Sequence, residues 1–189
     1  MKSDYCSYFR CEPIEFANDS SIPVRDALSF KLTDILNFST YTTTWDQYRI
    51  DQVYIKFVPI LTTTINRPYD DSTNPGASIG DVPRLCTMLD RDDVSVPLDF
   101  NQIFQRPQSR TRKATSSITW KFVPNRLVPV YRPATTSAYK VDTLTKQFID
   151  CGFSDVPHYG LKFCIEATSP SNCYQYRIER TYKISFKNR

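Results

Sequence analysis

Between Tyr176 and Phe186 the chain writes out a period of two. Tyr176, Ile178, Tyr182, Ile184 and Phe186 alternate with Arg177, Glu179, Thr181, Lys183 and Ser185, and only Arg180 breaks the pattern. Successive side chains leave opposite faces of an extended backbone, so this run dictates a strand with one buried and one wetted face. The same pattern recurs in WDQYRIDQVYIKFVPI, where Val53, Ile55 and Phe57 oppose Gln52, Tyr54 and Lys56. Pro59 is predicted to end that strand, because proline has no N–H to give a ladder. Leu28-Phe30-Leu32, Ile118-Trp120-Phe122 and Leu161-Phe163-Ile165-Ala167 alternate in the same way, each against polar neighbours or a cysteine. Tyr5 to Phe16 is ragged and interrupted by Pro13, and Leu85 to Leu89 reads as a weaker strand. No segment carries a 3.6-residue apolar period for more than about two turns. Roughly eight strands with uneven loops predict an all-β domain, a two-sheet sandwich or a barrel. An eight-stranded jelly roll of two packed antiparallel four-stranded sheets fits, with long inter-strand loops at its ends.

Composition agrees. Twelve Tyr, twelve Phe and two Trp accompany many Val, Ile and Thr, the residues that suit a pleated surface. Thirteen Pro against four Gly make proline the main punctuation. The connection TTTINRPYDDSTNPGASIGDVP is long for a compact domain, a length usually reserved for function. No boundary divides the chain, so residues 1–189 read as a single domain. No apolar run approaches the roughly 20 residues of a membrane helix, and MKSDYCSYFRC lacks the apolar core of a signal peptide. Membrane insertion is not expected. Six irregularly spaced cysteines without a secretion signal are therefore expected to be free thiols, and the sequons at Asn18 and Asn37 chance matches.

Enzymatic chemistry finds little support. His158 is the only histidine, too few for a cupin-type metal site, and no CxxC, P-loop or GxGxxG occurs. Cys151 and His158 could form a nucleophile pair, but a loop thiol and a turn histidine is the favoured reading. Asp92-Asp93 reads as solvated surface. No catalytic residue, metal or cofactor is assigned. The charge distribution says more than the net charge of +4. Between Phe100 and Val141 there are eight bases and no acid. Arg106, Arg110, Arg112 and Lys113 cluster within QRPQSRTRKATSS, just before the Ile118 strand. Two readings stand: sequence-independent phosphate contact, or an ordinary solvated loop.

Four segments, in order, carry a resemblance. VRDALSFKLTDIL, QYRIDQVYIKFVPI, VPHYGLKFCIEAT and YQYRIERTYKISFKNR together resemble the capsid proteins of circoviruses and related viruses with circular, Rep-encoding single-stranded DNA. The resemblance implies a viral jelly roll that self-assembles into a T=1 icosahedral shell of about sixty copies, enclosing the genome and attaching to a host receptor or glycan. It implies a virion component assembled in the host nucleus, with single-stranded DNA and further copies of the chain as partners. WDQYRI becomes the approach to the fourth strand, with Trp45 and Tyr48 anchoring a long connection and the Thr run as surface loop. Relatives begin with an Arg-rich, genome-packaging arm, whereas this chain begins MKSDY, almost on its first strand. The sequence reading is that the arm was removed. The alternative from another class is a carbohydrate- or receptor-binding jelly roll that does not assemble.

Overall fold

The computed structural model describes residues 4–18, 23–64, 83–91, 95–113, 115–129, 139–141, 147–167 and 172–188. Most of the long connection after Thr64 and the Asp92-Asp93 pair lie outside these residues. In chain order the strands are β1 (Tyr5–Arg10), β2 (Ile14–Asn18), β3 (Val24–Phe30), β4 (Gln47–Thr64), β5 (Arg84–Leu89) and β6 (Arg110–Lys113). They continue with β7 (Ile118–Phe122), β8 (Asn125–Pro129), β9 (Tyr139–Val141), β10 (Ile149–Asp150), β11 (His158–Ile165) and β12 (Asn172–Lys187). Helices α1 (Phe38–Thr44) and α2 (Phe100–Phe104) and 3-10 turns at Leu32–Asp34 and Cys151–Phe153 complete them.

Two antiparallel sheets face each other. β1 and β2 lie end to end along β12, Tyr5 opposite Phe186 and Ile14 opposite Ile178, so they are halves of one strand broken at Cys11–Pro13. With that pair counted once, one sheet runs β1/β2, β12, β4, β7 and the other β3, β11, β5, β6. The short β10 pairs with the start of β4, and β8 with the start of β11. This is the expected jelly roll, four strands on four, with β8 to β10 as additions. The alternating residues make the interface. Val53, Ile55 and Phe57 of β4 and Tyr182, Ile184 and Phe186 of β12 are all buried. Rings bridge the sheets, Phe57 to Phe163 at 5.3 Å and Phe30 to Phe122 at 5.6 Å between centroids. Each such side chain contributes roughly 1.5–3 kcal/mol on burial.

Four departures from the sequence reading have physical causes. Pro59 does not end β4. It pairs with Tyr176 where the register slips past Ile60, and a bulge is where a strand accommodates proline. The Leu28-Phe30-Leu32 alternation stops as a strand at Phe30, and Leu32 reaches the core from a 3-10 turn. The Thr run is helix α1 rather than loop, entered through Asn37 at φ 58°, a left-handed conformation asparagine tolerates. Finally, β11 is buried on both faces. Asp99 caps α2 by accepting from the Gln102 amide at 2.7 Å, and Phe100 and Ile103 then cover Cys86, Met88 and Cys164 on the outer side of the sheet. Lys162, on that same outer side, is buried beside Asp90 at 3.0 Å.

Arg180 earns its break in the alternation. It reaches the gap between β1 and β2, donating to the Glu12 carbonyl at 3.0 Å and pairing with Asp34 at 3.2 Å. Asp34 also accepts from the Tyr182 hydroxyl at 2.7 Å and the Lys31 amide at 3.0 Å. Burial pushes the Cys11 thiol up to about 12. Cys6 is exposed and Cys11 buried, on opposite faces as the odd spacing requires, and the five cysteines whose side chains are described are free. The register of β11 slips between Tyr159 and Leu161, where Gly160 lies under the Phe122 ring.

Candidate nucleic-acid interface

The basic cluster is not one loop. Arg106 follows α2, its amide bonded to the Ile103 carbonyl at 3.0 Å, and its side chain is exposed. Arg110, Arg112 and Lys113 belong to β6, the edge strand beside β5. The pleat then divides them. Thr111 turns toward the α2 side, meeting Cys86 at 3.2 Å, and Lys113 shares its parity. Arg110 and Arg112 point the other way, toward the opening between β6 and β7. There they line a cleft of about 300 Å³ with Ser117, Ile118 and Thr119.

Arg110 is already engaged. Its guanidinium stacks 3.8 Å above the Trp120 ring and donates to the Thr119 carbonyl at 2.8 Å. Trp120 in turn donates to Thr87 at 2.8 Å, so ring and cation are fixed together. Arg112 and Lys113 are exposed. Across the ladder Lys113 faces Arg84, whose charge is answered by Glu166 and whose guanidinium lies 4.8 Å over Phe100. That ion pair raises the Arg84 pKa, a structural role that sequence reading missed.

Trp45 and Tyr48 anchor different things. Trp45 closes α1 through its amide to the Tyr41 carbonyl at 3.0 Å and stacks on Tyr5 at 5.9 Å, tying the α1 connection to β1. Tyr48 is already within β4 and fully buried, and its hydroxyl donates to the Phe153 carbonyl at 3.0 Å. Burial raises its pKa. Cys151 and His158 are both buried, which raises the thiol to about 11 and lowers the imidazole to about 4. Among the described residues no three His, Cys, Asp or Glu side chains gather, and no helix is long and apolar enough to cross a membrane.

A roll of two packed antiparallel four-stranded sheets is an architecture that viral coat subunits share with lectin and cupin domains. The chain belongs to the circovirus capsid protein family, whose model matches residues 12–189. No curated protein matches in sequence. Among solved structures, the 60-mer form of the BFDV capsid protein superposes with a TM-score of 0.70 at 14% identity, covering 99% of this chain and 95% of that one. Its decameric form gives 0.62 at 14% identity, over 97% and 99%. A Macrobrachium rosenbergii nodavirus particle gives 0.51 at 11% identity, over 100% of this chain and 84% of the other. At such identities the likeness is one of fold.

Proposed function

We propose that this structural capsid protein assembles into a closed T=1 shell of about sixty copies that encloses a circular single-stranded DNA genome and attaches to a host-cell receptor or glycan. The observation that carries the reading is the family match along residues 12–189 on an intact four-on-four roll. The 60-mer of a structural neighbour supports the same stoichiometry. Arg106, Arg110, Arg112 and Lys113 contribute sequence-independent phosphate contacts, Arg112 and Lys113 most, since Arg110 is held on Trp120. The virion is the protein's destination and the host nucleus its place of assembly. Light scattering and electron microscopy of the purified chain are expected to give one closed particle of about sixty subunits. Monomer or trimer across all salt and pH conditions overturns assembly and favours a non-assembling binding module. Replacing Arg110, Arg112 and Lys113 by Ala is expected to reduce the log–log salt slope for single-stranded DNA by up to about 2, from roughly 0.7 per phosphate. An unchanged slope refutes that assignment.

A further inference from the structure

The outer faces of the two sheets differ. That of the β3–β11–β5–β6 sheet is covered over β5 and β11 by α2, which buries Cys86, Met88 and Cys164. The outer face of the other sheet bears a transverse row of alternating aromatic and cationic side chains. The buried members of each strand fix the parity. Val53, Ile55 and Phe57 point into the core, so Tyr54 and Lys56 point out; Ile118, Trp120 and Phe122 leave Thr119 and Lys121 outward; Tyr182 and Ile184 leave Lys183 outward. On β1, Phe9 packs inward and Tyr8 stands 59% exposed.

Register then aligns them. Tyr8 is opposite Lys183 on β12, and Tyr54 of β4 is opposite Lys121 on β7. The two tyrosine rings meet across the intervening strand, 5.9 Å between centroids and inclined at 57°. The Lys121 ammonium lies 5.2 Å from the Tyr54 ring and that of Lys183 lies 5.9 Å from Tyr8. The Tyr54 hydroxyl donates to Gln52 at 2.6 Å, which holds the ring in place before any ligand arrives. Other charges on this face are largely answered. Arg49 pairs with Asp51, Arg177 with Glu15, and Lys56 stands opposite Glu179. Among the described residues Lys121 and Lys183 pair with no acid and meet the side chains of Tyr54 and Tyr8, a weak attachment that a lysine on its flexible stem readily exchanges for a phosphate.

We propose that Tyr8, Tyr54, Lys121 and Lys183 form a stacking platform for unpaired bases of single-stranded nucleic acid, the tyrosines taking the bases and the lysines the flanking phosphates. The proposal rests on the reading of the chain as a genome-enclosing coat and assigns a second, base-contacting surface on the sheet opposite the β6 charges. Every base has a ring face, so such a platform is tolerant of sequence. It is selective against duplex, whose bases are already stacked, and against anions that carry no base.

The test compares a labelled oligothymidylate of about 12 nucleotides with an abasic oligonucleotide of equal length and charge, both bound to the purified full chain. The unmodified protein is expected to hold the thymidylate at least about fivefold tighter than the abasic strand. The double variant Tyr8→Leu/Tyr54→Leu, which keeps apolar bulk, is expected to lose that preference while its salt slope stays unchanged. Lys121→Ala/Lys183→Ala is expected to lower the slope by about 1.4, from 0.7 for each phosphate released. Equal binding of both oligonucleotides by the unmodified protein overturns the platform without any need for a variant to fold. Folded Tyr8→Leu/Tyr54→Leu protein that keeps the preference also overturns it. Binding of neither oligonucleotide even at low salt overturns the genome-contact reading as well, so the two failures are distinct.

Discussion

Gly160→Ala perturbs one methyl group at a place where the sheets nearly touch. A Cβ built on Gly160 falls 2.6 Å from Cε2 and 3.1 Å from Cδ2 of Phe122. An ordinary carbon–carbon contact is about 3.5–4.0 Å, so the overlap is about 1 Å. Neither partner is free to yield. Phe122 is 3% exposed, packed against the Phe30 ring at 5.6 Å, and its backbone is laddered to Val53. Beside Gly160, His158 is paired with Phe30 on one side and Arg126 on the other, so β11 is held at both edges. Overpacking costs about 1–3 kcal/mol, and a site pinned on both sides belongs near 3. For a chain of this length that lowers Tm by about 6–12 °C. Urea unfolding of dissociated subunits provides the assay, with Phe122→Leu as the partner in a double-mutant cycle. The smaller Leu side chain should relieve the overlap, so the pair should be at least about 1 kcal/mol less harmful than the sum of the singles. Gly160→Ala within about 0.5 kcal/mol of the parent, or strict additivity with Phe122→Leu, refutes the argument.

Three further outcomes are expected. Asp34→Asn removes the charge that answers Arg180, whose side chain is 10% exposed, and should cost about 3 kcal/mol or more in urea unfolding, with Arg180→Met milder because the more exposed Asp34 carboxylate still accepts from the Tyr182 hydroxyl and the Lys31 amide. His158 is buried with Nδ1 on the Val156 carbonyl at 3.0 Å, and burial, with the Arg126 charge adding to it, lowers its pKa from 6.5 to about 4. The unfolded chain thus takes up this proton first, and its contribution is fully present above pH 6.5 and lost as pH falls toward 4. At about 1.36 kcal/mol per pKa unit the loss is about 3 kcal/mol, and it should be absent from the pH dependence of His158→Gln. Asn37→Ala should cost about 1 kcal/mol because alanine resists the left-handed φ of 58°, while Asn37→Gly should be nearly neutral; urea midpoints of the two variants test this.

Period-two reading found the strands whose one face is wet, which is why β4, β7 and β12 could be read residue by residue. It failed where both faces are dry. In β11 the polar-looking Lys162 and Cys164 are buried by Asp90 and by α2, a five-residue helix too short to leave a periodic signature. The partnering of strands far apart in sequence was not legible, because alternation specifies a face and not a neighbour. The basic cluster was found as composition, but its division was not. Once QRPQSRTRKATSS is read as loop, no rule separates Arg112 from Lys113, whereas the pleat of β6 sends them to opposite sides. The row formed by Tyr8, Tyr54, Lys121 and Lys183 left no local signal at all, since each comes from a different strand.

The position of β6 at the margin of its sheet has a consequence beyond any ligand. An open margin offers unpaired amides and carbonyls to any passing strand, and a flat apolar one templates endless growth. Here the margin is four residues long, and three of the four are Arg or Lys. A second copy laid alongside would bring like charges to within about 4.8 Å of backbone spacing. The same residues therefore restrain fibrous growth: in a coat protein that meets many copies of itself at high concentration, they weaken strand-to-strand association at this margin, a contact that never closes.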